Sequence, residues 1–201
     1  MYSFFLGLDL GQAQDYTAIS VIERKSFQFE RKPDEYHVRH LERPKLGTPY
    51  PAIVERVKAL MNSSQLAGRT LLVVDKTGVG GPVVDMFKKA GLRPIAITIT
   101  GGSSVNTGDG GYHVPKRDLV TNLQVLFQTG RLRVAAELPE ARTLVEELLN
   151  FKVKINVKTA HDSYEAWREG VHDDLVLSVA LACWYAERRT KLVPVPKPAG
   201  W

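Results

Sequence analysis

The sequence predicts an α/β fold, a mixed central sheet flanked by helices. Two successive patterns carry that expectation. SFFLGLDLG, followed at once by TAISVIE, reads as a buried strand folded back on a strand rich in β-branched residues. Then LLVVD, a glycine-rich turn, a helical stretch from near Pro82 to Gly91, and PIAITIT form a strand, helix, strand unit, the parallel crossover that puts helices on a sheet's faces.

Taken in order, the first strand ends at Asp9, and Gly11 starts a turn. Thr17 to Glu23 pairs back as a hairpin, and a third strand runs from about Glu35 to Leu41 after a charged turn around Lys32, Pro33 and Asp34. Pro49 to Met61 has helical spacing, with Ile53, Val54, Val57 and Leu60 sharing one face. Leu71 to Val74 is a continuous apolar run suited to a strand covered on both sides, and Asp75 closes it. After the strand from Pro94 to Thr100, Gly101 to Gly111 reads as a glycine- and serine-rich loop. Lys116 to Thr129 is a helix stopped by Gly130, and Glu137 to Leu149 another. Phe151 to Lys158 alternates apolar and polar residues strictly and is expected to be a strand. A final helix runs from the Asp173–Asp174 pair to about Arg189, and residues 191–201, holding three prolines, form a mobile tail to a single domain of residues 1–190.

Composition narrows the function. The 201 residues, 44% hydrophobic and 24% charged, are those of an ordinary globular chain with one real core. Cys183 is single and lies in an apolar helical run, so it reads as core in a reducing compartment. The longest apolar stretch, Leu175 to Ala186, is too short to span a bilayer and the N-terminus lacks a charged leader, which gives a cytoplasmic expectation. Lys plus Arg exceed Asp plus Glu by 27 to 22, a mild excess that favours a polyanionic partner. There is no GxSxG elbow, no HExxH, no paired CxxC and no GxxxxGK[ST] phosphate loop.

The candidate chemistry lies in acids. Asp9 and Asp75 each close a strand, and functional groups in open α/β sheets collect outside the carboxyl ends of parallel strands. Asp173 and Asp174 stand side by side before a buried helix. One of them can cap that helix; a second needs another partner, and a divalent cation held with Asp9 and Asp75 would supply it. Such an oxygen-only nest suits Mg²⁺ or Mn²⁺, and two ions about 3.5–4 Å apart hydrolyse a phosphodiester without a protein nucleophile. Asp15 and Asp109 read as turn acids, His172 as a polar neighbour of the helix cap, and TGVGGP as either a phosphate cradle or an ordinary strand-to-helix turn.

In order, GLDLGQAQDYTAISVIE, VVDKTGVGGPVVDMF, VPKRDLVTNLQVLFQTGRLRV and EGVHDDLVLSVALACW resemble the nuclease domain of phage terminase large subunits, from about Leu6 to Trp184. The resemblance implies an RNase H-like fold and metal-dependent endonuclease cleavage of double-stranded DNA during genome packaging in the host cytoplasm. It places that family's catalytic and metal-binding acids on Asp9, Asp75 and the Asp173–Asp174 pair, with Asp174 as the principal ligand and Asp173 as a second ligand or a water orienter. It also implies a packaging ATPase domain, a small terminase and a portal as partners; the ATPase part is not in these residues.

Lys152, Lys154 and Lys158 on one face of a strand would match phosphate spacing, or would merely guard a sheet edge. Lys116 and Arg117, and Arg131 with Arg133, are further candidates for DNA contact. No helix carries an Asn, Gln and Arg face for base readout, so little sequence specificity is expected. A RuvC-type junction resolvase, a catalytically silent DNA-binding module and a fragment of an actin-like sugar kinase are the competing readings.

Overall fold

β1 (Phe4–Asp9) and β2 (Ala18–Lys25) pair antiparallel, with Asp9 opposite Ala18, and β3 (Glu35–Glu42) continues the meander past a bulge at Val21 and Ile22. These strands belong to an eight-stranded sheet in a computed structural model that describes residues 3–11, 15–27, 30, 32–155 and 173–192. β4 (Thr70–Asp75) lies parallel to β1, and β5 (Ile95–Thr100) lies parallel to β4. The crossovers carry α1 (Tyr50–Met61) and α2 (Gly80–Lys89). β6 (Asn106–Gly108) and β7 (Gly111–Pro115) form a hairpin whose second strand runs parallel to β5. α3 (Lys116–Gln128) leads to β8 (Leu132–Val134), which closes the other edge against β3, and α4 (Ala141–Ile155) and α5 (Asp174–Leu192) follow. The strand order is β6-β7-β5-β4-β1-β2-β3-β8, a mixed sheet as the sequence predicts.

Side-chain alternation divides the core between the two faces. Leu6 and Leu8 of β1, with Leu72 and Val74 of β4, pack under α1 and α2 against Ile53, Val57, Val84 and Phe87. Phe5 of β1 and Val73 of β4 face the opposite way, toward α3 and α5, where Leu119, Leu123, Val176, Val179 and Cys183 are buried. Residues of the same parity, Gly7, Asp9 and Asp75, therefore lie on the α5 side. α5 comes so close to β1 that a side chain at Gly7 would collide with the backbone carbonyl of Ser178.

Three expectations need correction. Phe151 to Lys158 is not a strand over its described part: residues up to Ile155 belong to α4, which takes Lys152 and Lys154 with it, while Lys158 lies outside the described residues. A helix already started at Ala141 adds one hydrogen bond for each further residue, whereas an alternating segment gains nothing without a partner edge. The row of lysines at strand spacing is lost, because positions two apart on a helix do not share a face. The same helix begins at Ala141 rather than Glu137. Finally, the loop from Gly101 to Gly111 hides the β6–β7 hairpin. Its turn places Asp109 at φ 48° and Gly110 at φ 76°, the left-handed pair that an Asp-Gly two-residue turn favours. Three exposed residues in β6 give no periodic signal.

The close approach at Gly7 gives a test of this packing. Gly7→Ala is expected to cost about 1–3 kcal/mol, lowering the melting temperature by about 2–4 °C per kcal/mol. Gly81→Ala, where a methyl group meets nothing within 4 Å, is expected to be neutral or stabilising by up to about 1 kcal/mol. Thermal unfolding of both variants measures the difference, and equal melting temperatures would disprove the contact.

Candidate active site

β1 and β4 are in register with Leu8 beside Val74, so Asp9 and Asp75, the next residue of each, finish neighbouring strands on the same face. Adjacent strands are about 4.8 Å apart, which brings the two carboxyl groups within reach of one another. Asp75 is fixed by its own turn: the Thr77 N–H donates to Asp75 Oδ1 at 2.7 Å, and Thr77 Oγ1 accepts from the Ile99 N–H at 2.9 Å, tying the turn to β5. Gly80 begins α2 against the Asp75 carbonyl, where no side chain fits. Gly80, with Gly78 at φ 64°, thus lets the chain fold tightly over the strand end.

Asp174 is the first residue of α5 and lies one helical turn before Ser178, the residue that touches β1 at Gly7. One turn back along the helix is about 6 Å, and two residues along β1 from Gly7 to Asp9 is about 6.6 Å. The helix start therefore overhangs the strand end. Lys116, the first residue of α3, directly follows β7, and it arrives at the same edge of the sheet. Its Nζ stands 3.4 Å from Asp173 Oδ2, and its side chain is only 16% exposed.

The electrostatics follow from this crowding. Asp9, Asp75 and Asp174 are buried. Burial first, and then the charges of Asp75, Asp174 and Asp173, push the Asp9 carboxyl well above the usual carboxylate range, with Lys116 opposing. Asp75 is also raised by burial, but hydrogen bonds from Thr77, the Lys116 charge and a hydrogen bond with Asp9 hold it down. Burial lowers the Lys116 ammonium, while Asp173, Asp9 and Asp75 hold it up. Among the described residues, Lys116 is the cation that acts on Asp9, Asp75 and Asp173. The structure brings together the four acids singled out in the sequence.

A fifth acid joins them that the sequence reading missed. Glu147 of α4 is 5% exposed, and its Oε2 accepts from the Val176 N–H of α5 at 3.1 Å. Burial above all, then Asp174 and Asp173, pushes it up to about 8 against the Val176 hydrogen bond and Arg43. Arg43 Nη1 lies 3.6 Å from Glu147 Oε1, and Arg43 also stacks on Tyr16. The available signal was positional: Glu147 follows buried Leu144 by three residues, on the stripe of α4 where the helical period calls for an apolar side chain.

The remaining candidates separate. Lys116 is an internal countercharge rather than a surface contact, whereas Arg117 is exposed and pairs with Asp118 at 3.5 Å. Arg131 is tied to Glu187 and to the Asp34 carbonyl, and Arg133 is exposed beside Glu35. His172 lies outside the described residues.

Among the described residues, no group of three or more carboxylate, imidazole or thiol side chains stands in a ready cation-ligating arrangement. The chemistry of the donors nevertheless fits a hard divalent cation. They are oxygen donors, all but Asp173 buried, and burial together with their mutual charge raises the proton affinity of Asp9 and Glu147.

No family model matches the chain. In sequence it is 29% identical over 179 residues to the terminase large subunit of Thermus phage G20c and, to the same extent, to that of Thermus virus P23-45. Those 179 residues are 89% of this chain but only 31% of each relative, so the chain spans about a third of their length. In fold it matches the large terminase nuclease of thermophilic phage G20c with a TM-score of 0.57 at 22% identity, over 89% of this chain and 80% of that one. It matches the Mn-soaked human cytomegalovirus terminase nuclease domain with a TM-score of 0.57 at 12% identity, over 94% and 85%. Among the described residues no helix is long and apolar enough to cross a membrane. With, among the described residues, an eight-stranded mixed sheet flanked by five helices, and with these likenesses over most of its length, the chain has an RNase H-like fold and resembles the nuclease domain of terminase large subunits.

Proposed function

We propose that this chain is a metal-dependent endonuclease that cuts double-stranded DNA with little sequence specificity during phage genome packaging. The observation that supports it most is the meeting of Asp9, Asp75, Asp173 and Asp174 at the carboxyl edge of an RNase H-like sheet. Asp9, central to the cluster, would hold both of two Mg²⁺ or Mn²⁺ ions, Asp75 one of them, and Asp174 with Asp173 the other. When bound, the ions supply Lewis acidity to a phosphodiester and lower the pKa of water. The chain's own groups prepare the place: the Thr77 turn orients Asp75, and Lys116 offsets part of the acids' charge. Exposed Arg117 beside this edge is a contact for the DNA backbone. The partners in this reading are duplex DNA, a packaging ATPase domain, the small terminase and the portal, acting in the host cytoplasm.

Supercoiled plasmid incubated with the purified chain in Mn²⁺, in Mg²⁺ and in EDTA tests the reading. Cleavage is expected only with metal, and Asp9→Asn and Asp174→Asn should each reduce it by more than about 100-fold. DNA bound equally in chelator and left intact would instead establish a silent binding module. Symmetric nicking of four-way junctions in preference to linear duplex would establish a resolvase.

A second test uses stability. Metal-free Asp9→Asn should melt at a higher temperature than the parent, because a buried like charge is removed. Mn²⁺ at about 100 times its dissociation constant should stabilise the parent by about 2.7 kcal/mol and the variant by much less. A melting temperature of the parent that ignores Mn²⁺ would count against cation binding at these acids.

A further inference from the structure

Asp173 is the N-cap of α5: its carbonyl accepts from the Leu177 N–H at 2.9 Å. An N-cap aspartate ordinarily turns its carboxylate onto the N–H of the second or third helical residue. Here the third residue is Val176, and its N–H donates to Glu147 Oε2 at 3.1 Å, on a different helix. Asp173 Oδ2 stands 3.4 Å from Lys116 Nζ, at the acid cluster. Glu147 is itself secured from behind. Arg43, directly after β3, places Nη1 3.6 Å from Glu147 Oε1 and Nε 3.6 Å from Glu140 Oε2, with its guanidinium 4.7 Å from the centre of the Tyr16 ring.

We propose that Glu147 is a positioning residue: by capping α5 from α4, it turns the Asp173 and Asp174 carboxylates toward Asp9 and the cation they would bind. This role rests on the nuclease reading of the acid cluster. A helix that needed only a cap has one in Asp173, so a buried glutamate on the apolar stripe of α4 gains nothing for α5 alone. It gains something if Asp173 is required elsewhere. The chain Arg43, Glu147, Val176 then sets the angle at which the paired acids leave the helix, and a small error there moves a ligand out of reach.

Three variants of the full chain separate reach from charge. Glu147→Gln keeps an oxygen for the Val176 N–H, Glu147→Asp keeps the charge but is one methylene too short, and Glu147→Leu removes both. Amide hydrogen exchange of Val176 in the metal-free protein reads the cap, Mn²⁺ binding followed by electron paramagnetic resonance reads the acids, and plasmid cleavage reads the outcome. Glu147→Gln should keep the Val176 exchange rate of the parent and bind Mn²⁺ more tightly than either other variant. Glu147→Asp and Glu147→Leu should each exchange Val176 roughly fivefold faster or more and bind Mn²⁺ roughly fivefold more weakly or worse, with cleavage reduced in step. An impaired Gln variant beside a normal Asp variant would overturn the proposal in favour of charge, and three variants like the parent would overturn it altogether. A parent that neither binds Mn²⁺ nor cuts DNA would mark failure of the nuclease reading instead, which the metal-free exchange rates distinguish.

Discussion

The structure depends on one close approach, that of α5 to β1 at Gly7. With no side chain there, the Ser178 carbonyl lies almost on the strand, and small residues on both sides, Ser20 on β2 and Ala180 and Ala182 on α5, are buried in the same layer. Interiors are packed to crystal density, so an added methyl group cannot be absorbed without moving the helix. The helix is also what carries Asp173 and Asp174, and the same strand carries Asp9. A fold contact and a site distance are therefore one quantity, set two residues from the end of β1 and one turn from the start of α5.

That arrangement opposes folding electrostatically. Burying Asp9 beside Asp75 and Asp174 removes its hydration and adds like charge, and Lys116 returns only one positive charge. The protein tolerates this because the acids sit at the ends of elements, where apolar packing is already complete: Phe5 and Val73, on the same face of the same strands, are fully buried. On the proposed reading, a divalent ion held by these acids would relieve the repulsion that the metal-free arrangement carries.

Much of this was legible in the sequence because the decisive residues terminate strong local signals. FFLGLD and LLVVD are apolar runs ended by aspartate, and a period of two fixes which face each aspartate takes once the strands are paired in register. The Asp173–Asp174 pair stood out against an apolar helix. What was not legible has three physical reasons. Phe151 to Ile155 alternates like a strand, yet it continues a helix, because propagation of a helix already started outweighs local alternation. β6 and β8, with three residues each, carry little pattern of their own, and β8 is held by β3, distant in the chain. Glu147 and Arg43 act through tertiary neighbours, so only a charge misplaced on an apolar stripe hinted at the first, and nothing local hinted at the second.

The distribution of the acids along the chain has its own consequence. Asp9 belongs to the first strand, Asp75 to the fourth, and Asp174 to the last helix, which also supplies a large share of the core on its face of the sheet through Leu175, Val176, Val179 and Cys183. Until α5 docks, that face of β1 and β2 is uncovered and Asp9 and Asp75 have neither of the paired acids above them. Docking buries the apolar surface that stabilises the helix, and the same movement completes the cluster. The element that covers the apolar layer on this face of the sheet is therefore the one that completes the cluster.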